Sequence, residues 1–489
     1  MFQFNMETRR ICELVQIGAS TRMTDLNFLT KEISKWLKSP ERMAQIKGDL
    51  YYEYEQDILK KQRLVVGENG LEPDPMLPNN KMIDNQYAKA VDQKVNYMLA
   101  KPITFKTDNK VYTDALNKIF NKRFQRLIKN VGKDSYNGAI GYLYPYYDEN
   151  GEFKFKRFHP WEVKVYWKDD DKTDIDCFIR YYEMQGYEGD LEKTYKYVEV
   201  YDTNGIHKFT YENGGLIPDY STYHFETDVD GQTVEYNWNR VPLIPFKSNS
   251  AYIPLLKRCK CLQDAINKIL SEFNDGMEEN ASGNSIIIIK NYDGENLGTF
   301  RRNLSQYKAV KVRTVDGADG GVDKLEITVN CENYKTILAE LRKALIQNCK
   351  CYDIEQLKSS GSPNEMTIKS IFSDIDLDAN ELETEYQASF EDLLWFVNQH
   401  LSNTGVGDFT NEQVEIIFNR DMMVNDSQII ADINNSASIL SMKTLISLHP
   451  WVNDVDAELE QKKKEQEEAL EQYGNMLVQK PPLDDGTDE

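Results

Sequence analysis

The chain has 489 residues and a formal net charge of −22, from 80 Asp and Glu against 58 Lys and Arg. That length holds about three domains, and 40% hydrophobic with 11% aromatic residues suffices for real cores, although mean hydropathy is only −0.62. The charge argues against tight, sequence-independent DNA binding of the ordinary kind, which needs clustered Lys and Arg to displace counterions. It is compatible with handling DNA that must slide. The longest aliphatic run, residues 286–289, is far short of the ~20 residues of a spanning helix, and MFQFNMETRRICELV lacks the apolar core and cleavage site of a signal peptide.

Residues 1–50 read as helical through Ile11, Leu14 and Val15, then Phe28, Ile33, Trp36 and Leu37, with a helix start near Thr30 to Ile33. Residues 51–62 read as a further helical piece, and the Gly, Pro and Asn of 67–80 as a loop. Tyr87, Val91, Val95 and Met98 recur at helical spacing from Asn85 and stop at Lys101-Pro102. One more helix is predicted from about Asp114 to Tyr136. From 137 to about 245 apolar and polar residues alternate, with turns at Glu149-Asn150-Gly151 and Asp202-Thr203-Asn204-Gly205, which predicts antiparallel sheet. Pro254 opens a helix through Leu255, Cys259, Leu262, Ile266, Ile269, Leu270, Phe273 and Met277. Residues 285–329 read as compact α/β with strands SIIIIK, AVKVRTV and VDKLEITV. A second helix follows, through Tyr334, Ile337, Leu338, Leu341 and Leu345. After a polar loop over 351–366 comes a pattern to about residue 403 whose ~38 residues would make a rod of ~57 Å. Beyond it lie a strand (413–419), short helices and a charged end.

Chemistry is harder to find. There is no GxxxxGK[ST] phosphate loop, no HExxH and no GxSxG. His159, His207, His224, His400 and His449 are scattered and read as structural. Asp316, Asp319 and Asp323 lack EF-hand spacing and read as a hairpin turn. The seven cysteines include two CKC pairs, Cys259/Cys261 and Cys349/Cys351, both in segments that read as helical. Positions i and i+2 there point about 200° apart, so plain thiols are favoured over zinc ligands. No catalytic residue, metal site or cofactor is assigned. Residues 251–350 carry 15 Lys/Arg against 13 Asp/Glu and read as the least acidic part of the chain.

This order of segments resembles the portal proteins of long-tailed bacteriophages of Gram-positive hosts. The resemblance is carried by residues 80–105 (NKMIDNQYAKAVDQKVNYMLAKPITF), 137–167 (NGAIGYLYPYYDENGEFKF with FHPWEVKVYW) and 241–249 (VPLIPFKSN). It continues through KNYDGEN, YKAVKV and DGGVDKL within 290–325, the loop at 352–366 and LLWFVNQHLSNTGVGDF at 393–409.

The resemblance implies an α+β, mainly helical portal fold: an N-terminal arm (1–50), a wing of helices then antiparallel sheet (51–249), stem helix 1 (250–284), an α/β clip (285–329), stem helix 2 (330–351), a tunnel loop (352–366), a long kinked wing helix (367–403), a helical crown (404–470) and a flexible acidic tail (471–489). It implies a twelve-subunit ring that carries double-stranded DNA at one capsid vertex of the virion. The ring would assemble in the host cytoplasm, without a membrane, and meet terminase, a head–tail adaptor, scaffold and major capsid protein. Expected near DNA are Gln356, Lys358, Ser359, Ser360 and Ser362, with Gly361 as pivot, followed by Lys335, Arg342 and Lys343 on the second stem helix. Arg301 and Arg302 are expected at partner contacts. A packaging nuclease and a minor capsid or scaffold-interacting protein without a channel are the competing readings.

Overall fold

The computed structural model describes residues 25–67, 70–73, 77–169, 172–229, 232–281, 286–290, 321–325, 331–353, 365–420, 426–452 and 458–467, with a few isolated positions. The helical pattern at Ile11 to Val15, the AVKVRTV strand, the Asp316–Asp319 part of the glycine-rich turn and the tail at 471–489 lie outside the described residues. The chain forms two compact units, residues 1–353 with 374–421 and residues 354–373 with 422–489.

The first unit opens on helices α1 (Leu26–Leu37) and α2 (Pro40–Tyr52). Asp25, not the predicted Thr30, starts α1, because its carboxylate accepts from the Asn27 and Phe28 N–H groups. Ser39 with Pro40 then breaks the predicted continuous helix and caps α2. The expected helix at 51–62 reduces to the end of α2 and a single 3₁₀ turn at Asp57–Lys60. Strands β1 (Leu64–Gly67) and β2 (Gly70–Pro73) form a hairpin where a loop was expected. Helix α3 (Gln86–Leu99) follows where the helical spacing predicted it, is capped by the Asn85 side chain, and buries Tyr87, Val91, Val95 and Met98.

After strand β3 (Thr104–Lys106) come α4 (Lys110–Ile119) and α5 (Lys122–Gly138), where one helix was expected. Asn109 and Asn121 each accept two N–H groups, so each starts its own helix. Gly48 lets α2 close onto α5: a Cβ there would lie 2.1 Å from the Asn137 carbonyl oxygen.

The alternating region forms antiparallel sheet throughout. Strands β4 (Ile140–Tyr147), β5 (Phe153–Phe158) and the later β13 (Ile244–Lys247) make a three-stranded sheet. Strands β6 (Val163–Trp167), β7 (Ile175–Glu188), β8 (Leu191–Asp202), β9 (Gly205–Glu212) and β10 (Gly215–Thr222) make a five-stranded meander, beside a hairpin of β11 (Phe225–Val229) and β12 (Gln232–Tyr236). Period-two alternation divides the meander's faces. Cys177, Ile179, Tyr181, Val198 and Val200 pack against Leu29, Ile33 and Trp36 of α1, while Phe178 and Tyr201 pack against Tyr142, Tyr144 and Phe158 of the smaller sheet.

Helix α6 (Leu255–Ala281), strands β14 (Ile286–Lys290) and β15 (Gly321–Leu325) and helix α7 (Cys331–Asn348) come next, followed by the 39-residue α8 (Glu365–Asn403) and strand β16 (Glu415–Ile417), which pairs with β3. Phe390 of α8 centres an aromatic core, its ring 5.6 Å from Phe105, 6.2 Å from Phe124, 5.5 Å from Phe246 and 6.0 Å from Phe418. That core joins α8 to α5, to β3 and to the small sheet. In the second unit, α9 (Asp426–Ser436) and α10 (Met442–Ser447) follow, α10 being capped by Ser441.

Two buried polar systems hold the first unit's helices. Gln263, Asn267, Ser271 and Asp275 recur every fourth residue along α6, each at most 2% exposed. They take the extended segment before α3 as a ladder. Gln263 accepts from Tyr87 N at 3.0 Å and donates to the Asp84 carbonyl at 2.7 Å, and Asn267 accepts from Asp84 N at 3.0 Å. Ser271 accepts from Met82 N at 2.9 Å, and Asp275 accepts from Asn80 N at 2.7 Å and from Lys61 Nζ at 2.6 Å. Elsewhere Lys94 of α3, 1% exposed, meets Asp378 of α8 at 2.5 Å, and Tyr136 donates to the same carboxylate at 3.2 Å.

Burial raises the Asp275 carboxyl, but the bonds from Lys61 and Asn80 outweigh it and hold the group below the usual carboxylate range. Its contribution is therefore present at neutral pH and lost as pH falls through that depressed value. Asp275→Ala is expected to cost about 3 kcal/mol, by leaving the Asn80 N–H and the Lys61 ammonium without their acceptor, and Asp275→Asn less. Lys94→Met is expected to cost about 3 kcal/mol, since it leaves the buried Asp378 carboxylate with only the Tyr136 hydroxyl and the more distant Lys350 ammonium at 3.7 Å. Denaturant titration at neutral pH measures both, and a cost under 1 kcal/mol in either would refute the corresponding role.

Candidate functional site

The sequence offers no catalytic constellation, so the candidate site is the pair of long helices together with the antiparallel strands β14 and β15 that lie between them in the chain. The Phe273 and Tyr334 rings lie 5.0 Å apart, and farther along the same seam the buried Cys259 and Cys349 thiols meet. The paired residue numbers sum to nearly the same value in both contacts, as two antiparallel helices of equal rise require. Leu345 is buried on this seam. At the far end of the pair, β14 and β15 align in register from Ile286 opposite Leu325 to Lys290 opposite Gly321.

The three predicted positions on α7 are exposed. Lys335 meets Glu332 at 3.3 Å. Arg342 donates from Nε to Asp84 Oδ2 at 2.8 Å, so it clips α7 to the same segment that α6 holds. Lys343 is exposed and has no carboxylate at ion-pair distance among the described residues. Lys335 and Arg342 are seven residues apart and share a face, with Lys343 turned about 100° from Arg342. The predicted loop positions Gln356, Lys358, Ser359, Ser360, Gly361 and Ser362, and Arg301 and Arg302, lie outside the described residues.

The thiols require one correction. Cys259 is buried and Cys261 exposed, as opposite sides of a helix demand. Cys349 and Cys351 are both buried, because α7 ends at Asn348 and Lys350 takes a positive φ of 52°. The adjoining Cys259 thiol and burial push the Cys349 thiol well above the usual range, so it is inert as a thiolate at neutral pH.

The histidines pack and bond. Burial pushes His224 down to about 4, and its Nδ1 accepts from Trp238 N at 3.1 Å. His400 stacks on Phe153 at 4.7 Å and meets the Tyr147 hydroxyl at 3.0 Å. Among the described residues no group of three or more His, Cys, Asp or Glu side chains could hold a metal ion, and no helix is long and apolar enough to cross a membrane.

One charged surface escaped the sequence reading. A hundred-residue window makes 251–350 the least acidic part, yet residues 101–133 alone carry nine Lys/Arg against two Asp. The signal was available in a shorter window.

Comparison with known proteins is consistent along the chain. The family model described as "Phage portal protein, SPP1 Gp6-like" matches residues 39–472. The chain is similar to the portal protein of Bacillus phage SPP1, at 30% identity over 94% of this chain and 93% of that one. It is also similar to the portal protein of Clostridium phage phiCD119, at 26% identity over 89% and 96% of the two chains. Among solved structures it is similar to a chain from the neck of an empty gene transfer agent particle, with a TM-score of 0.43 at 12% identity, covering 79% of this chain and 95% of that chain.

Proposed function

The chain belongs to the SPP1 Gp6-like family of phage portal proteins, and from that membership we propose that it is one subunit of a ring through which DNA enters and leaves the head at one capsid vertex. The observation that carries this is the near full-length match, which spans the α6–α7 pair rather than one module. In this reading α6 and α7 are the stem, β14 and β15 belong to the clip, and the segment 352–366 holds the tunnel loop. The ring is twelvefold in the virion.

The channel wall takes its character from the charge. A subunit of net −22 gives a lining that repels phosphates at close approach, over a Debye length of roughly 8 Å, so DNA slides instead of sticking. Gln356, Lys358, Ser359, Ser360 and Ser362, with Gly361 as pivot, supply adjustable contacts to the passing duplex. Lys335, Arg342 and Lys343 are the next positions, Arg342 with its charge partly offset by Asp84. Arg301 and Arg302 face terminase or the head–tail adaptor. The chain carries no phosphate loop, and the energy for packaging comes from the terminase.

Electron microscopy of the purified protein is expected to show rings with an axial hole. Monomers or spheres would refute the reading, and a metal-dependent DNA cleavage that disappears with one set of Asp substitutions would replace it with a nuclease. Deletion of 358–362 is expected to leave ring assembly intact and to impair packaging or DNA retention. Loss of assembly instead would show that this segment is not the tunnel loop.

A further inference from the structure

Helix α5 carries a line of cations on the face opposite its core. At 100° per residue, Arg126, Lys129 and Lys133 fall within about 40° of Lys122, while Phe124, Ile128, Val131 and Ser135 on the other side are buried. Arg123 flanks the line, and Lys118 precedes it at the end of α4. Lys118, Lys122, Arg123 and Arg126 are exposed and Lys129 is half-buried. None of these five forms an ion pair among the described residues. Lys133 differs, because Asp92 holds it at 3.1 Å.

Two further observations say what the surface suits. The first turn of α5 contains Lys122 and Arg123 and no acid. Cations there oppose the helix dipole, so this placement costs local stability, while the helix's own N–H groups add to the positive field. In addition, α5 exposes no large apolar side chain, and on α4 only Val111, two turns before Lys118, is exposed. A protein–protein interface needs apolar or aromatic anchors at its centre, and the cationic face of α5 has none. A partner held by charge alone fits it better.

We propose that Lys118, Lys122, Arg123, Arg126 and Lys129 form a phosphate-contact surface for duplex DNA, separate from the helices and loop assigned to the channel. The inference rests on the reading that this protein handles DNA, and it adds a sequence-independent holding site to a chain of net charge −22.

The test uses the full-length protein and the variant K118Q/K122Q/R123Q/R126Q/K129Q, with a short random-sequence duplex followed by fluorescence anisotropy across a salt series. Circular dichroism and electron microscopy of both proteins check fold and assembly. The variant is expected to bind more than about tenfold more weakly at low salt, and its slope of log affinity against log salt to be shallower by about 4.5, from five lost phosphate contacts. The charge-retaining K118R/K122R/K129R is expected to bind as the parent does. Equal affinity and slope in parent and glutamine variant overturn the inference, as does a parent that forms rings and binds no duplex, and both leave the portal reading standing. A glutamine variant that binds duplex normally but no longer forms rings also overturns it, by assigning the face to a neighbouring copy. Absence of rings from the parent refutes the portal reading itself, whatever the duplex does.

Discussion

The first unit depends on a requirement that buried polar groups find partners. Gln263, Asn267, Ser271 and Asp275 would each be costly on the hidden side of a helix if left alone. Each is instead matched by a backbone or side-chain group of the chain between Lys61 and Tyr87. A greasy seam tolerates small slides, whereas this ladder admits one register only. It fixes where α3 begins, hence where Tyr87, Val91, Val95 and Met98 enter the core. Arg342 reaches Asp84 on the same segment, so α7 is indexed to α6 through a third strand of chain as well as by direct packing.

Much of this architecture was legible in the sequence, for identifiable reasons. Strong periodicity ending at Lys101-Pro102 located α3, and Pro254 located the start of α6. Period-two alternation located the sheets, and the turn at Asp202 to Gly205 matched the β8–β9 register. Several failures fall at helix breaks, and others at the β1–β2 hairpin and the 3₁₀ turn at Asp57–Lys60. Asn121 and Ser39 interrupt runs whose apolar spacing continues across them, because a cap is a short-range hydrogen bond that leaves little mark on hydrophobic pattern. The α6 ladder was invisible for a related reason. Its residues share a stripe at four-residue spacing, but polar side chains at helical spacing normally mean a solvated face, and only their partners elsewhere in the chain make them interior. At the candidate site, the family resemblance pointed to the α6–α7 pair, while the role of each side chain depends on neighbours that a sequence does not display. The Asp84 partner of Arg342 is the clearest instance.

Charge is distributed unevenly, and this matters more than its total. A uniform −22 would describe a particle that repels nucleic acid everywhere. Instead, acids and bases are segregated by element. The α4–α5 segment is cationic while α8 places Glu391 and Asp392 near the far end of its length. Screening confines each such region to its own surroundings, so neighbouring surfaces of one subunit can present opposite signs to different partners.

The α6–α7 pair has a mechanical consequence. Twenty-seven residues of α6 make an arm of roughly 40 Å, held near one end by the Cys259–Cys349 contact and along its length by the ladder. Such an arm moves as one body with the segment from Asn80 to Tyr87, because every rung of the ladder from Gln263 to Asp275 ties the two together. Displacement of that segment is thus read along α6 as rigid motion, over a reach fixed by the length of the helix.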